Sequence, residues 1–175
     1  MMKGRKCIVT GGAGFVGSNL SNELIKRDAE VKIIDNMYSG KNENVEFLKD
    51  KGVEIVSGSI TDRTMLEKEM KSYEFVFHQA ALVSVVESIE KPELSRKINF
   101  DGTVNVLEAA RKNEIEKVIF ASSCAIYGET VKLPVDETDE PVPMSPYAKD
   151  KLMGENKCNE YNQKYDLPVV CLRYF

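Results

Sequence analysis

A glycine-rich turn near the amino terminus constrains this chain more than any other stretch. The turn, Thr10-Gly11-Gly12-Ala13-Gly14-Phe15-Val16-Gly17, follows an apolar run at residues 7–9 and opens an amphipathic one. A strand, a tight glycine turn and a helix start in this order form a phosphate-binding loop, because the helix presents unpaired N–H groups to an anion. We expect Gly11 to take a positive φ, Gly14 to let the backbone approach a pyrophosphate, and Gly17 to let the helix pack closely on the sheet.

Strand-like and helix-like segments alternate along the rest of the chain at the spacing of βαβ units. The strand-like runs are short, β-branched or aromatic, and apolar on both faces, which is typical of a parallel sheet covered by helices on each side. The sequence therefore predicts a doubly wound α/β fold, the Rossmann fold, with strand order 3-2-1-4-5-6. The first predicted strand ends at Thr10 and the others cover 30–35, 53–56, 75–77, 118–120 and 167–172; the predicted helices cover 14–27, 63–71 and 92–112, with another starting at Ser145-Pro146.

Composition excludes several classes of protein. The chain has 175 residues, of which 42% are hydrophobic and 30% charged, which is enough for one domain with a real core. A net charge of −4 and the lack of a basic cluster argue against a nucleic-acid surface. Since neither a signal peptide nor a membrane-spanning apolar run is evident, we expect no membrane association and a cytoplasmic location. Four cysteines lack metal-like spacing, and we expect two of them, Cys7 and Cys171, to be small core residues.

Asp35 ends the second predicted strand, eighteen residues after Gly17. A carboxylate at this place accepts hydrogen bonds from the adenine ribose hydroxyls and repels a 2′-phosphate. No arginine follows within residues 36–40, so the pattern favours NAD over NADP. Taken in isolation, the same acid is also compatible with a simple strand-end cap.

The ends of the third and fourth strands carry further candidates. Ser59 and Ile60 are placed to touch the adenine, because ligands bind at the carboxyl ends of strands in this architecture. Gln79-Ala80-Ala81 leaves room for a cofactor. His78 is the only histidine, and we interpret it as a structural residue rather than a catalytic one. Asn99 lies in an apolar stretch, so it is either a structural anchor or a cofactor contact.

The chemistry is concentrated between Ser122 and Lys151. Tyr147 and Lys151 are four residues apart, which places both on one helical face. A nearby ammonium favours the phenolate of a tyrosine, and with the positive ring of NAD⁺ this makes Tyr147 a candidate base. Ser123, at the end of the fifth strand, can hydrogen-bond a substrate alcohol. The alternative is a solvated tyrosine–lysine contact without function.

Taken together, these motifs resemble the extended short-chain dehydrogenase/reductases, and within them the nucleotide-sugar 4-epimerases. The resemblance covers the whole chain. It rests on the glycine turn, Asp35-Asn36, Gly58-Ser59-Ile60, His78-Gln79-Ala80-Ala81, Asn99, Ser122-Ser123-Cys124-Ala125-Ile126-Tyr127-Gly128, Ser145-Pro146-Tyr147-Ala148-Lys149-Asp150-Lys151 and Leu172-Arg173-Tyr174-Phe175.

The resemblance implies an activity and a set of site residues. Hydride passes from the sugar C4 to NAD⁺ and returns to the other face, with Tyr147 as the base on the 4-hydroxyl. Lys151 holds the nicotinamide ribose, and Ser123 assists. The resemblance implies substrate contacts from Ser84, Ser123, Tyr147 and Phe175, and cofactor contacts from Gly11, Gly14, Phe15, Val16, Gly17, Asp35, Asn36, Ser39, Gly40, Ser59, Ile60, Gln79, Ala80, Ala81, Val83, Asn99, Ser122, Tyr147, Lys151 and Tyr174.

Departures from the patterns of related enzymes indicate the subfamily. Related dehydratases and decarboxylases carry an acid, or an Asp-Glu pair, just after the position of Ser123, where this chain has Cys124 and Ala125. That favours epimerisation or a plain 4-keto reduction. Ser59 replaces a frequent aspartate and binds the adenine amino group more weakly. Val83 replaces the lysine of typical UDP-galactose 4-epimerases, and the loop at residues 82–88 looks closer to epimerases of N-acetylated UDP-sugars or of broad specificity.

Family members continue beyond the counterpart of Phe175 into a substrate domain. We therefore interpret residues 1–175 as an NAD-binding domain without its substrate domain, and we expect NAD binding with little or no epimerase activity. The resemblance also implies a homodimer through the helices at 92–112 and 147–165. Two alternatives stay open: another NAD-dependent sugar reductase or dehydrogenase, and a non-catalytic NAD-binding module.

Overall fold

Six parallel strands form one sheet in the order β3-β2-β1-β4-β5-β6, as the sequence predicts. Every neighbouring pair of strands is parallel. Lys6 of β1 lies opposite Glu30 of β2, for example, and Ser123 of β5 lies opposite Tyr174 of the edge strand β6. The computed structural model describes residues 2–129 and 133–175. Its strands are β1 (Lys6–Thr10), β2 (Glu30–Asp35), β3 (Glu54–Ser57), β4 (Phe75–His78), β5 (Lys117–Ser123) and β6 (Val169–Tyr174); its helices are α1 (Phe15–Lys26), α2 (Glu43–Lys49), α3 (Arg63–Glu69), α4 (Val85–Glu90), α5 (Pro92–Ser95), α6 (Gly102–Lys112) and α7 (Pro146–Tyr165).

Helices cover both faces of the sheet, so the core has two halves. On one face, Leu24 of α1 and Val45 and Leu48 of α2 pack against the buried strand residues Cys7 and Val9. On the other face, side chains of α3, α6 and α7 pack against β1, β2, β4 and β5; they include Leu66, Val106, Leu107 and Cys158. The central strands are therefore apolar on both faces because both faces are buried.

The strands at the sheet edges differ from this pattern. In β6, every second residue from Val170 to Tyr174 is exposed, and in β3 the two terminal residues are exposed. Cys171 is therefore half-buried: it packs against the border of the core, as a small apolar side chain, but is not enclosed by it as the sequence predicts. Cys7 is fully buried, and burial raises the pKa of its thiol to about 12.

The helix that the sequence predicts over 92–112 is helical throughout but not uniform. A π-helical segment at Arg96–Asp101 separates α5 from α6. Two short helices were not predicted: α2, and α4, which begins inside the stretch interpreted as a loop at 82–88. Within the two described ranges, none of the helices has both the length and the apolar character needed to cross a bilayer.

Candidate functional site

The glycine turn lies at the carboxyl end of β1 and is built for close approach. Gly11 has a φ of +69°, and its N–H donates to the Ile34 carbonyl at 2.8 Å. A Cβ on Gly11 would lie 2.6 Å from the Ala80 backbone nitrogen, so only glycine fits there. Gly14 is the N-cap of α1, in extended conformation and without a side-chain cap bond. The first N–H groups of the helix are therefore left for a ligand.

Asp35 holds this turn in place. Its side chain is 8% exposed, and its Oδ2 accepts the Ala13 N–H at 2.9 Å. Its Oδ1 accepts the Met37 N–H at 2.8 Å. Gly40 packs behind it, where a Cβ would lie 2.9 Å from Oδ1 of Asp35. The carboxylate thus orders the turn at the end of β1 and the loop after β2.

A cleft of about 380 Å³ opens beside the turn. Most of the residues expected to contact a cofactor line it, together with five residues that were not predicted. The predicted ones are Gly11, Gly14, Phe15, Val16, Gly17, Asp35, Asn36, Ser39, Ser59, Ile60, Gln79, Ala80, Ala81 and Val83; the additional ones are Ile34, Tyr38, Gly58, Leu82 and Ile98.

The residues of this cleft fit a dinucleotide cofactor. A Cβ at Gly17 would lie 2.2 Å from the Gly11 carbonyl oxygen, so the helix start can only pack this closely without a side chain. The Gln79 amide nitrogen is buried and has no hydrogen-bond partner among residues 2–129 and 133–175. An unpartnered donor on the wall of a cleft needs an acceptor from a ligand. The phosphates and ribose hydroxyls of NAD would supply such acceptors.

Asn99 lies behind the cleft wall rather than in it. Its side chain is 1% exposed, its Oδ1 accepts the Leu82 N–H at 2.9 Å, and its amide nitrogen donates to the Leu82 carbonyl at 3.0 Å. The amide nitrogen also donates to Ser95 Oγ at 3.2 Å. Of the two roles left open by the sequence, this geometry is that of a structural anchor, which fixes the wall at Leu82.

A second group of polar residues lies at the carboxyl end of β5, next to the strand that bears the cleft wall. Tyr147 and Lys151 are both buried, and Lys151 Nζ lies 5.8 Å from the centroid of the Tyr147 ring. Nζ also donates to the Ala121 carbonyl at 2.8 Å. The Ser123 hydroxyl lies close to the Tyr147 phenol, and its Oγ accepts the Ala125 N–H at 3.1 Å. The structure therefore brings Ser123, Tyr147 and Lys151 together.

Burial dominates the electrostatics of this group in the protein alone. It raises the pKa of Tyr147 above its usual value, although the neighbouring Ser123 hydroxyl lowers it in part. Burial also lowers the pKa of Lys151 to about 8. The sequence predicts the ammonium beside the phenol, whereas the loss of water around both groups follows only from the fold. Without a further positive charge, Tyr147 is held protonated at neutral pH.

Two serines position the start of α7. Ser145 is its N-cap and accepts the Ala148 N–H at 3.1 Å. Ser88, in α4 and fully buried, accepts the Tyr147 N–H at 3.2 Å. Ser145 follows from the Ser-Pro signal, whereas Ser88 lies 59 residues away in sequence from Tyr147 and carries no local signal.

The other predicted site residues are placed differently. Ser122 donates to the buried carboxylate of Glu155, which also receives a bidentate bond from Arg173 at 3.1 and 2.9 Å. Ser84 is the N-cap of α4, where it accepts the Glu87 N–H. These side chains have structural partners of their own. Tyr174 and Phe175, at the exposed edge of β6, are 37% and 90% exposed.

His78 is a structural residue in this fold. Its side chain is 1% exposed; Nδ1 lies 2.8 Å from Thr10 Oγ1 and Nε2 lies 3.1 Å from Thr103 Oγ1. Burial, with the Lys151 charge, lowers its pKa to about 3. A neutral imidazole between two hydroxyls ties β1, β4 and α6 together.

Comparisons with known proteins agree with this geometry. The model of the NAD dependent epimerase/dehydratase family matches residues 7–175. The UDP-N-acetylglucosamine 4-epimerase of Methanobrevibacter ruminantium, in complex with UDP-N-acetylmuramic acid, is 40% identical with a TM-score of 0.95, over 99% of this chain and 56% of that one. The UDP-glucose 4-epimerase of Thermus thermophilus, in complex with NAD, is 41% identical with a TM-score of 0.90, over 96% of this chain and 54% of that one.

A relative with a different reaction is also similar. The UDP-N-acetyl-alpha-D-glucosaminuronate decarboxylase of Bacillus cytotoxicus is 38% identical over 98% of this chain and 54% of that protein. The chain spans about half the length of each of these proteins.

Proposed function

Because the chain belongs to the NAD dependent epimerase/dehydratase family, we propose that it is the cofactor-binding and catalytic part of a nucleotide-sugar 4-epimerase. The observation that carries the proposal is the assembly of Ser123, Tyr147 and Lys151 at the carboxyl end of β5. The glycine turn follows the carboxyl end of β1 in the same parallel sheet. A dinucleotide cleft alone would suit a binding module. A phenol, a hydroxyl and an ammonium beside it supply what proton transfer at a sugar alcohol requires.

The roles follow from the chemistry of each group. NAD, when bound, would supply the acceptor and the donor of the hydride. Tyr147 would take the proton of the sugar 4-hydroxyl and return it, while Ser123 hydrogen-bonds the same oxygen. Lys151 would hold the nicotinamide ribose. Because burial holds Tyr147 protonated in the protein alone, we infer that its pKa falls only when a positive charge enters the cleft beside it.

Epimerisation is favoured over decarboxylation by two side chains. The positions after Ser123 are Cys124 and Ala125, in a short 3-10 turn, and neither has a carboxylate for a further proton transfer. The similarity to a decarboxylase therefore supports the shared cofactor chemistry and not the same reaction. We propose UDP-glucose or an N-acetylated UDP-sugar as substrate, because the two similar structures named above are 4-epimerases of these sugars. Val83 in place of lysine favours an N-acetylated sugar or broad specificity.

The proteins similar to this chain are about twice as long, so we propose that the nucleotide part of the substrate is bound largely by a further domain. Residues 1–175 then bind NAD and show little or no turnover of their own. A homodimer through α5, α6 and α7 stays a prediction.

One experiment tests the catalytic assignment on the chain itself. The ultraviolet difference spectrum of tyrosinate is followed against pH for the wild type and for Tyr147→Phe, each with and without NAD⁺. We expect NAD⁺ to lower the pKa of one tyrosine by about one unit or more, since a positive charge within about 6 Å has that effect. The shift should be absent in Tyr147→Phe and unchanged in the control Tyr165→Phe. Binding of NAD⁺ without such a shift would refute the assignment of Tyr147 as the base.

A second arm tests the reaction. The chain is incubated with UDP-glucose and with UDP-N-acetylglucosamine, and the products are separated by chromatography. We expect at most traces of the 4-epimer and no net formation of NADH. Rapid turnover by the chain alone would contradict the need for a further domain.

A further inference from the structure

A side-chain hydrogen bond joins the two walls of the cleft at the protein surface. Tyr38, in the loop after β2, lines the cleft, and its hydroxyl donates to Glu87 Oε1 at 2.5 Å. Glu87 lies in α4, directly after the opposite wall at residues 79–83. The bond therefore connects the elements that flank the glycine turn on either side.

Both partners are held in place by local hydrogen bonds. The Tyr38 N–H donates to Asn36 Oδ1 at 3.1 Å, which shapes the loop after β2. On the other side, the Glu87 N–H donates to Ser84 Oγ at 3.1 Å, and Lys91 Nζ donates to the same Glu87 oxygen at 3.0 Å. The carboxylate is thus aimed at Tyr38 by groups of its own helix.

Of the two partners, Glu87 is the one held firmly, because its helix α4 is bonded to α7. Ser88, next to Glu87, is fully buried; it donates to the Val85 carbonyl at 2.6 Å and accepts the Tyr147 N–H at 3.2 Å. Displacing α4 would break this tie to the catalytic helix. Tyr38 is 56% exposed, so its side chain is the part that can swing away.

Building on the proposed function, we propose that Tyr38 and Glu87 form a strap across the cleft that slows both the entry and the release of NAD. The bond is present in the protein alone, so NAD has to break it to enter. The strap closes again over bound NAD, so the same bond has to break for release, and it favours neither the free nor the bound state. This distinguishes a strap from an ordinary cofactor contact, which slows release only.

The test uses NADH binding to the whole chain in a stopped-flow instrument. NADH fluorescence reports association, and a chase with excess NAD⁺ reports dissociation. We expect Tyr38→Phe, which keeps the ring that lines the cleft, to raise both rate constants about three- to fivefold, as the loss of one solvent-exposed hydrogen bond predicts. The Kd should stay within about twofold. Tyr38→Phe combined with Glu87→Ala should be no faster than Tyr38→Phe alone, because both changes remove the same bond.

Tyr165→Phe is the matched control, since this tyrosine is also partly exposed and packs against Tyr161 in α7, away from the bond. It should leave both rates unchanged. Wild-type rates in Tyr38→Phe would overturn the strap, and so would faster dissociation alone with a weaker Kd. A wild-type chain that does not bind NADH would refute the proposed function, and with it the strap.

Discussion

Replacement of Gly17 by alanine tests whether the glycine turn is close-packed in the way described. The new Cβ would lie 2.2 Å from the Gly11 carbonyl oxygen and 2.7 Å from Gly12 Cα. Carbon–oxygen contacts are normally about 3.3 Å, so the turn must move by about 1 Å. That movement works against the Gly11 bond to Ile34 and the Ala13 bond to Asp35, both within 2.9 Å.

The magnitude is a balance of two effects. Overpacking costs about 1–3 kcal/mol, and a 2.2 Å contact with backbone belongs to the upper part of that range, about 2–3 kcal/mol. Glycine to alanine inside a helix gains about 1 kcal/mol. We therefore expect Gly17→Ala to lower the free energy of unfolding by about 1–2 kcal/mol, which lowers the Tm of a chain of this size by about 2–8 °C. Because the turn moves, NADH affinity should also fall about tenfold or more, as the loss of a charge-assisted hydrogen bond predicts.

Gly14→Ala is the informative control. Its Cβ would lie 3.3 Å from the Gly11 carbonyl oxygen, a tight contact that a small adjustment relieves. We expect a Tm within about 2 °C of the wild type. NADH binding should nevertheless weaken, because the new side chain would stand where we propose that a cofactor phosphate binds. Differential scanning calorimetry and fluorescence titration of both variants decide the matter. If Gly17→Ala unfolds and binds NADH like the wild type, the close packing described for this turn is refuted.

Three further predictions concern buried polar groups. Because burial lowers the pKa of His78 to about 3, only the unfolded chain takes up a proton at this residue as the pH falls. The free energy of unfolding in urea should therefore fall by about 2 kcal/mol between pH 6.5 and pH 5 in the wild type and not in His78→Gln. The same pH dependence in both proteins would contradict this. Because the pKa of Lys151 is lowered to about 8, the free energy of unfolding of the wild type should rise by about 3 kcal/mol relative to that of Lys151→Met between pH 8 and pH 10.5. A difference between the two proteins that does not change with pH would argue against a buried ammonium. Asn99→Leu leaves the Leu82 N–H and carbonyl without their partners. It should lower the free energy of unfolding in urea by about 2–4 kcal/mol and weaken NADH binding. A free energy of unfolding equal to that of the wild type would show that water replaces the amide.

The features that the sequence predicted correctly are those with a local signal. The glycine turn and β2 are recognisable because spacing and periodicity act within about twenty residues. The α4 helix was interpreted as a loop because it is short and begins with Val85 and Val86, which are weak helix formers. The signal that would have found it is Ser84 three residues before Glu87, the pattern of an N-terminal cap.

Other features depend on contacts between distant parts of the chain. Ser122 was expected to contact the cofactor, but its hydroxyl is bonded to Glu155, 33 residues away. The Ser88 bond to Tyr147 and the Tyr38 bond to Glu87 also join separate βα units. The residue types did not show which partners the fold would bring together. The raised pKa of Tyr147 depends on burial, which is likewise a property of the assembled fold.

Asp35 has a consequence for any attempt to exchange the cofactor. Redesign toward NADP conventionally removes the acid at the end of the second strand, to admit a 2′-phosphate. Here both carboxylate oxygens also accept backbone N–H groups, one in the glycine turn and one in the loop after β2. The residue to which we assign the choice of cofactor is therefore also a structural part of the pocket. A change of cofactor to NADP therefore first needs new acceptors for these two N–H groups. A single substitution of Asp35 gives a less ordered pocket and not a preference for NADP.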